Sequence, residues 1–174
     1  MKKRTVTILG FSAIAVITAV YFYLGGLNSV EYSVENVSDY NLIGVPFKGK
    51  AKDKAIEEAY FEAKEYVESG SIAGTLTLVH YNDTTLADGE QKLFIGIKLD
   101  AGIADLPANY ERMTIPVKRV VRASIEAHNS VMPSPGKIED NLYKRADELN
   151  IRLQDFTIEQ YVSANLLIID VPAK

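Results

Sequence analysis

The 174-residue chain has no cysteine and no tryptophan, and only two histidines and six prolines. Without cysteine there is no disulfide framework and no lipid-modified cysteine anchor. Glycine-rich phosphate loops and zinc-ligand spacings are absent as well, which removes the common nucleotide and structural-metal motifs. Stability must therefore come from packing alone. Residues 30–174, about 145 in number, are enough for that, since a domain of this size buries roughly two-thirds of its extended surface.

Acidic residues are missing from the first 30 positions, and what stands there is organised. Lys2, Lys3 and Arg4 precede 20 uncharged residues, Thr5 to Leu24. At about 1.5 Å rise per residue such a helix covers roughly the 30 Å core of a bilayer. The basic tip then predicts a cytoplasmic N-terminus and an exported remainder. A cleaved signal peptide is the rival reading. Against it, the run exceeds the usual signal core of about 7–15 residues and ends in Tyr21-Phe22-Tyr23-Leu24 rather than a small-x-small site. Interfacial aromatics suit an uncleaved signal anchor. The expected layout is residues 1–4 as cytoplasmic tip, 5–24 as anchor, 25–29 as linker and 30–174 as an extracytoplasmic domain on a bacterial inner membrane.

Three of the 19 basic residues lie before the anchor, leaving 16 against 23 acidic ones and a net charge of −7 on the exported part. An acidic domain without a basic stripe, held beside an anionic bilayer, excludes nucleic acid as the expected partner. The sequons Asn36-Val37-Ser38 and Asn82-Asp83-Thr84 matter only in a eukaryotic secretory route.

From residue 30 onward the apolar period alternates between two and 3.6 in an order that repeats. Val30–Val37 and Tyr40–Phe47 read as extended, Lys54–Ser69 as a helix stopped by Gly70, and Thr75–Tyr81 and Lys92–Leu99 as strands. The second half has the same succession: Met113–His128 extended but broken at Pro116, a turn at 132–136, a helix over Lys137–Leu149, and strands over Thr157–Val162 and Leu166–Val171. Ile56, Tyr60 and Val67 recur in spacing as Ile138, Leu142 and Leu149, and Lys-Ala-Ile-Glu-Glu at 54–58 echoes Lys-Ile-Glu-Asp at 137–140. Two repeats follow, about 30–100 and 110–172. The fold class expected is α+β: duplicated βαββ units in a mostly antiparallel sheet, two helices on one face, and one N-terminal transmembrane helix.

YNLIGVPFKG at 40–49, YND at 81–83, the stretch from Leu106-Pro107 through IPVKRVVRASIEAH, and EQY at 159–161 resemble the GyrI-like effector-binding superfamily, an SHS2-type domain also found in bacterial transcription activators. The resemblance covers the whole exported domain. It implies a groove between the two halves for a small amphipathic, often cationic, ligand and no cofactor or metal. One departure is that His128-Asn129-Ser130 lacks the glycine of the family's His-x-Gly.

In that family the glutamate matching Glu159 faces the groove. Strand parity puts Thr157, Glu159 and Tyr161 on one face and Ile158, Gln160 and Val162 on the other. A carboxylate beside an aromatic ring suits an organic cation through charge pairing and the ring face. The plainer alternative is a solvated strand face, or Glu159 paired with Arg122 or Arg152. Parity also separates Leu76, Leu78 and His80 from Thr75, Thr77, Val79 and Tyr81; the leucines are expected against the helices and Tyr81 in the groove. Phe94 and Tyr110 complete the expected ligand-binding set of Glu159, Tyr161, Tyr81, Tyr110 and Phe94.

No catalytic residue is assigned. His128 with Ser130 is too slight a pairing for a nucleophile and base, and His80 reads as structural. Asp83, Asp88 and Glu90 lack the spacing of a calcium loop. Two alternatives to ligand binding stay open. Some relatives in this superfamily hydrolyse strained molecules, which would use Glu159 as base with Tyr81 or Tyr161 as donor. A tethered member could instead be an envelope scaffold or adaptor; an adaptor is expected to carry a disordered tail, and Lys174 follows the last expected strand closely.

Overall fold

The structure, a computed structural model, describes residues 2–102, 105–128, 130–133 and 135–174, the side chains of 2–12 and 135 excepted. Met1 of the basic tip, Asn129 of the motif departure and Ser134 of the expected turn lie outside the described residues. The first half runs α1 Lys2–Tyr23, β1 Glu31–Asn36, β2 Tyr40–Lys50, α2 Lys54–Glu68, β3 Gly74–Tyr81 and β4 Glu90–Leu99. The second runs β5 Glu111–Ile115, β6 Arg119–Glu126, α3 Pro135–Glu148, β7 Phe156–Ser163 and β8 Leu166–Pro172.

All eight strands form one antiparallel sheet in the order β1-β6-β8-β7-β3-β4-β2-β5. The order is symmetric about the β3–β7 seam, as two packed repeats require. The leading strands are exchanged between halves: β1 lies on β6, and β5 lies on β2. This exchange bends the sheet. Six strand spacings separate β1 from β2, about 29 Å in a flat sheet, whereas the four backbone steps from Asn36 to Tyr40 reach at most about 14 Å. The edges must curl together. The two links cross and bond each other, the Val37 N–H donating to the Lys118 carbonyl at 3.0 Å and the Val117 N–H to Asp39 Oδ1 at 3.1 Å. Gly44 and Gly96 face each other across β2 and β4, where a Cβ on either would strike a carbonyl of the opposite strand.

Cross-strand register carries one face through Ile43, Ile97, Leu76, Tyr161, Leu167 and Ile125. Both helices pack on it. Ala63 of α2 joins Ile43, Ile97 and Leu76, while Ile138, Leu142 and Ala146 of α3 join Val121, Ala123 and Ile169. Asp53 caps α2, its Oδ1 accepting from the Ala55 N–H at 3.0 Å, and Gly70 ends that helix at a φ of 72° that favours glycine. The inner face of the curl holds a third core of Tyr40, Leu42, Val79, Phe94, Val120 and Ile158. One expected core position moves outside: Leu149 lies past the end of α3 and is 41% exposed, and Ala146 takes the buried place one turn after Leu142.

The expected anchor, Thr5–Leu24, coincides with α1. Its described side chains from Ala13 to Tyr23 are all exposed, Tyr23 by 89%. Among the described residues no helix is long and apolar enough to cross a membrane. The end of α1 is pinned to the domain, the His128 N–H donating to the Leu24 carbonyl at 2.9 Å and Asn28 Nδ2 to the Glu126 carbonyl at 2.5 Å.

Candidate functional site

Two helices on one face of an eight-stranded sheet leave the central seam uncovered, and that gap is a cleft. Along its floor Leu78 and His80 of β3 oppose Glu159 and Thr157 of β7. Leu78, His80, Glu159 and Tyr161 are half-buried, whereas Val79, Ile158 and Gln160, pointing the other way, are buried. Tyr60 of α2 leans over the floor, its ring edge-on to Tyr161 at 5.6 Å between centroids. A cavity of about 290 Å³ lies between α2 and the end of β7, lined by Tyr60, Lys64, Val67, Leu76, Tyr161 and Val162 among others.

Glu159 is the chemical centre of this arrangement. Its Oε2 accepts from the Tyr161 hydroxyl at 3.0 Å, and no ion pair reaches it among the described residues. Burial pushes its pKa above the ordinary carboxylate range; the Tyr161 hydrogen bond and His80 pull it back, and Glu139 pushes it further up. Tyr161 and Tyr60 are raised as well, chiefly by burial and then by neighbouring carboxylates. The Glu159 carboxylate thus has one hydroxyl donor, the His80 ring as an electrostatic neighbour and, among the described residues, no lysine or arginine ion-pair partner.

At the other end of the cleft β3 is bonded to α3. Asn82 Nδ2 donates to Glu139 Oε1 at 2.9 Å and to the Tyr143 hydroxyl at 3.0 Å, tying the end of β3 to α3.

The structure brings Glu159 and Tyr161 together as parity required, but Tyr81 and Phe94 lie on the opposite face. Tyr81 packs with Phe156 at 5.9 Å and bonds Met113 Sδ at 3.4 Å, and Phe94 is buried in the third core. Tyr81 and Phe94 therefore do not share a face with Glu159: the leucine face does meet the helices, yet the helices stand apart, so that same face forms the cleft floor. Tyr110 is on the helix side but buried beside Tyr66, its hydroxyl without a hydrogen-bond partner among the described residues. Sequence reasoning missed Tyr60, His80 and Glu139 as cleft residues. Tyr60 had a signal, being the one polar-tipped member of the α2 stripe.

The pairing of Glu159 with Arg122 or Arg152 does not occur among the described residues. Arg122 is held on the inner face by the fully buried Asp170, Nε to Oδ1 at 2.7 Å and Nη2 to Oδ2 at 2.8 Å. The Tyr40 hydroxyl at 2.5 Å and Gln160 Nε2 at 2.8 Å also donate to Asp170 Oδ2, and Lys98 Nζ donates to Gln160 Oε1 at 2.7 Å. Every polar member of that network is engaged, so it is structural rather than receptive.

No family model matches the chain, and no curated protein matches its sequence. Solved structures do match in fold. The EcmrR C-terminal domain aligns with a TM-score of 0.58 at 13% identity, covering 83% of this chain and 98% of that one. SAV2435 bound to tetraphenylphosphonium aligns at 0.51 and 14% identity, over 83% of this chain and 94% of that one. A hydrolase encoded by lin2189 from Listeria innocua aligns at 0.55 and 12% identity, over 83% and 92%. The chain thus shares the duplicated α+β fold of these proteins, a scaffold on which function is decided by the site.

Proposed function

We propose that this chain is a GyrI-like effector-binding domain, tethered to a bacterial inner membrane through α1, that binds a small amphipathic, cationic ligand in the interhelical cleft. The observation that carries the reading is Glu159: a carboxylate on a half-open floor, flanked by Tyr60 and Tyr161, with no cation of its own among the described ion pairs. SAV2435, which has the same fold, was seen bound to tetraphenylphosphonium, a lipophilic cation. The tether is supported by the basic tip at 2–4, the uncharged run to Leu24 and the outward-facing side chains of Ala13 to Tyr23. An uncharged run whose described side chains point away from the domain calls for an apolar surrounding that the domain does not provide over Ala13 to Tyr23. The acidic exported part then faces the periplasm and engages no nucleic acid.

Native mass spectrometry of the full chain, purified in mild detergent, tests the ligand: a copurifying small cation supports the reading. A reporter fused after Lys174 tests the tether, with activity outside the cytoplasm and retention of full-length mass as the expected result. An envelope scaffold would give neither a ligand nor a dependence on Glu159.

Hydrolysis is the second reading, favoured by the raised pKa of Glu159 beside a hydroxyl donor, which suits a general base. Turnover of a strained substrate, abolished by Glu159→Gln with binding retained, would establish it.

A further inference from the structure

The cleft is bonded to α3 at the Asn82 end, and at the other end its cavity adjoins the foot of α1. We propose that it is loaded from the lipid bilayer through that mouth, so that its ligand is a molecule partitioned into the membrane interface; this rests on the reading of Glu159 as a cation site and of α1 as a membrane helix. The 290 Å³ cavity has His128 and Ser163 at its rim. Both residues also line a hollow of about 720 Å³ whose other wall is Tyr23, Leu24 and Gly25. The two spaces therefore adjoin where α1 ends, and the His128–Leu24 hydrogen bond fixes that junction.

Tyr161 is part of the cavity wall and its hydroxyl donates to Glu159, which lies behind that wall rather than in it. A molecule leaving lipid beside Tyr21, Phe22 and Tyr23, all exposed, meets the hollow first, then the cavity, then the carboxylate. Size points the same way. At 290 Å³ the cavity is at the lower limit of small-molecule sites, roughly 300–1,000 Å³, so an amphipathic ligand with its cation at Glu159 leaves its apolar remainder in the hollow against α1. Val162, 47% exposed at the mouth, adds an apolar lip. The Asn82–Glu139–Tyr143 latch ties β3 to α3 at the opposite end.

Equilibrium affinity cannot separate a lipid route from an aqueous one, because the ligand's chemical potential is the same in both phases; rates and depth can. The absence of cysteine makes Ser163→Cys and Asp83→Cys unique labelling sites, one at the mouth and one beside the latch. In full-length chain in phosphatidylcholine vesicles, a bimane label at Ser163→Cys should be quenched by brominated phosphatidylcholine, and one at Asp83→Cys should not. Tetraphenylphosphonium preloaded in the vesicles should associate about tenfold more slowly when Ser163→Cys carries a bulky adduct, while an adduct at Asp83→Cys leaves the rate unchanged. An unquenched label at Ser163→Cys, or slowing only from the Asp83 side, overturns the route while leaving the cation site standing. Quenching at Ser163→Cys with no binding of tetraphenylphosphonium by the unsubstituted chain refutes the cation site, and the route with it.

Discussion

Glu159→Gln should stabilise the folded domain at neutral pH. The carboxylate is half-buried, its pKa is raised mainly by desolvation, and a single hydroxyl donor offsets that penalty. Because the folded state keeps the proton to higher pH than the unfolded chain does, folding is favoured by protonation. Stability from this group is fully present below about pH 4.3, where an unfolded glutamate titrates, and is lost as pH rises through the raised folded value. Each pH unit between the two values costs about 1.4 kcal/mol. Glutamine keeps an acceptor for Tyr161 and carries no charge, so it should recover a desolvation cost of about 1–3 kcal/mol. At roughly 3 °C per kcal/mol for a domain of this size, Tm rises by several degrees. Calorimetric melting of both proteins from pH 4 to pH 8 is the assay, since taking the difference between them cancels the other carboxylates. The gain should be largest at pH 8 and vanish toward pH 4. A gain independent of pH, or a loss of stability at pH 7, would refute the reasoning and make the Glu159 charge structural.

Leu142→Ala should cost about 2–5 kcal/mol in urea denaturation, as truncation of a fully buried leucine does, whereas Leu149→Ala, half exposed past the end of α3, should cost under about 0.5 kcal/mol. Equal losses at both positions would restore the stripe that the structure breaks. Asp170→Ala should cost about 3–5 kcal/mol by the same measurement, because it strands the Arg122 guanidinium and the donors of Tyr40 and Gln160. Tyr110→Phe removes a buried hydroxyl that has no partner among the described residues and should leave stability unchanged or raise it by about 1 kcal/mol; a loss above that size would mean the hydroxyl is satisfied.

Local pattern carried most of the elements. The strands at 74–81, 90–99, 156–163 and 166–172 and both domain helices fall within about two residues of where the apolar period puts them, because each buries one face against its neighbours. The exchange of β1 and β5 between halves was not legible, since pairing partners 67 or more residues apart leave no mark on local periodicity. Parity correctly placed Glu159 with Tyr161 and Leu76 against a helix. It could not say that the two helices stand apart, and so it grouped Tyr81 and Phe94 with Glu159 and Tyr161, from which they are separated by the sheet. Tyr60 and Glu139 come to the cleft from different helices, a convergence that only the tertiary packing creates.

The central claim is that Glu159 receives an organic cation. Isothermal titration of tetraphenylphosphonium into the full chain in detergent at pH 7, beside Glu159→Gln, tests it most directly. The unsubstituted chain should bind and the variant about tenfold more weakly, a difference of about 1.4 kcal/mol. Equal affinity in the two proteins, or no binding to the unsubstituted chain, would contradict the account.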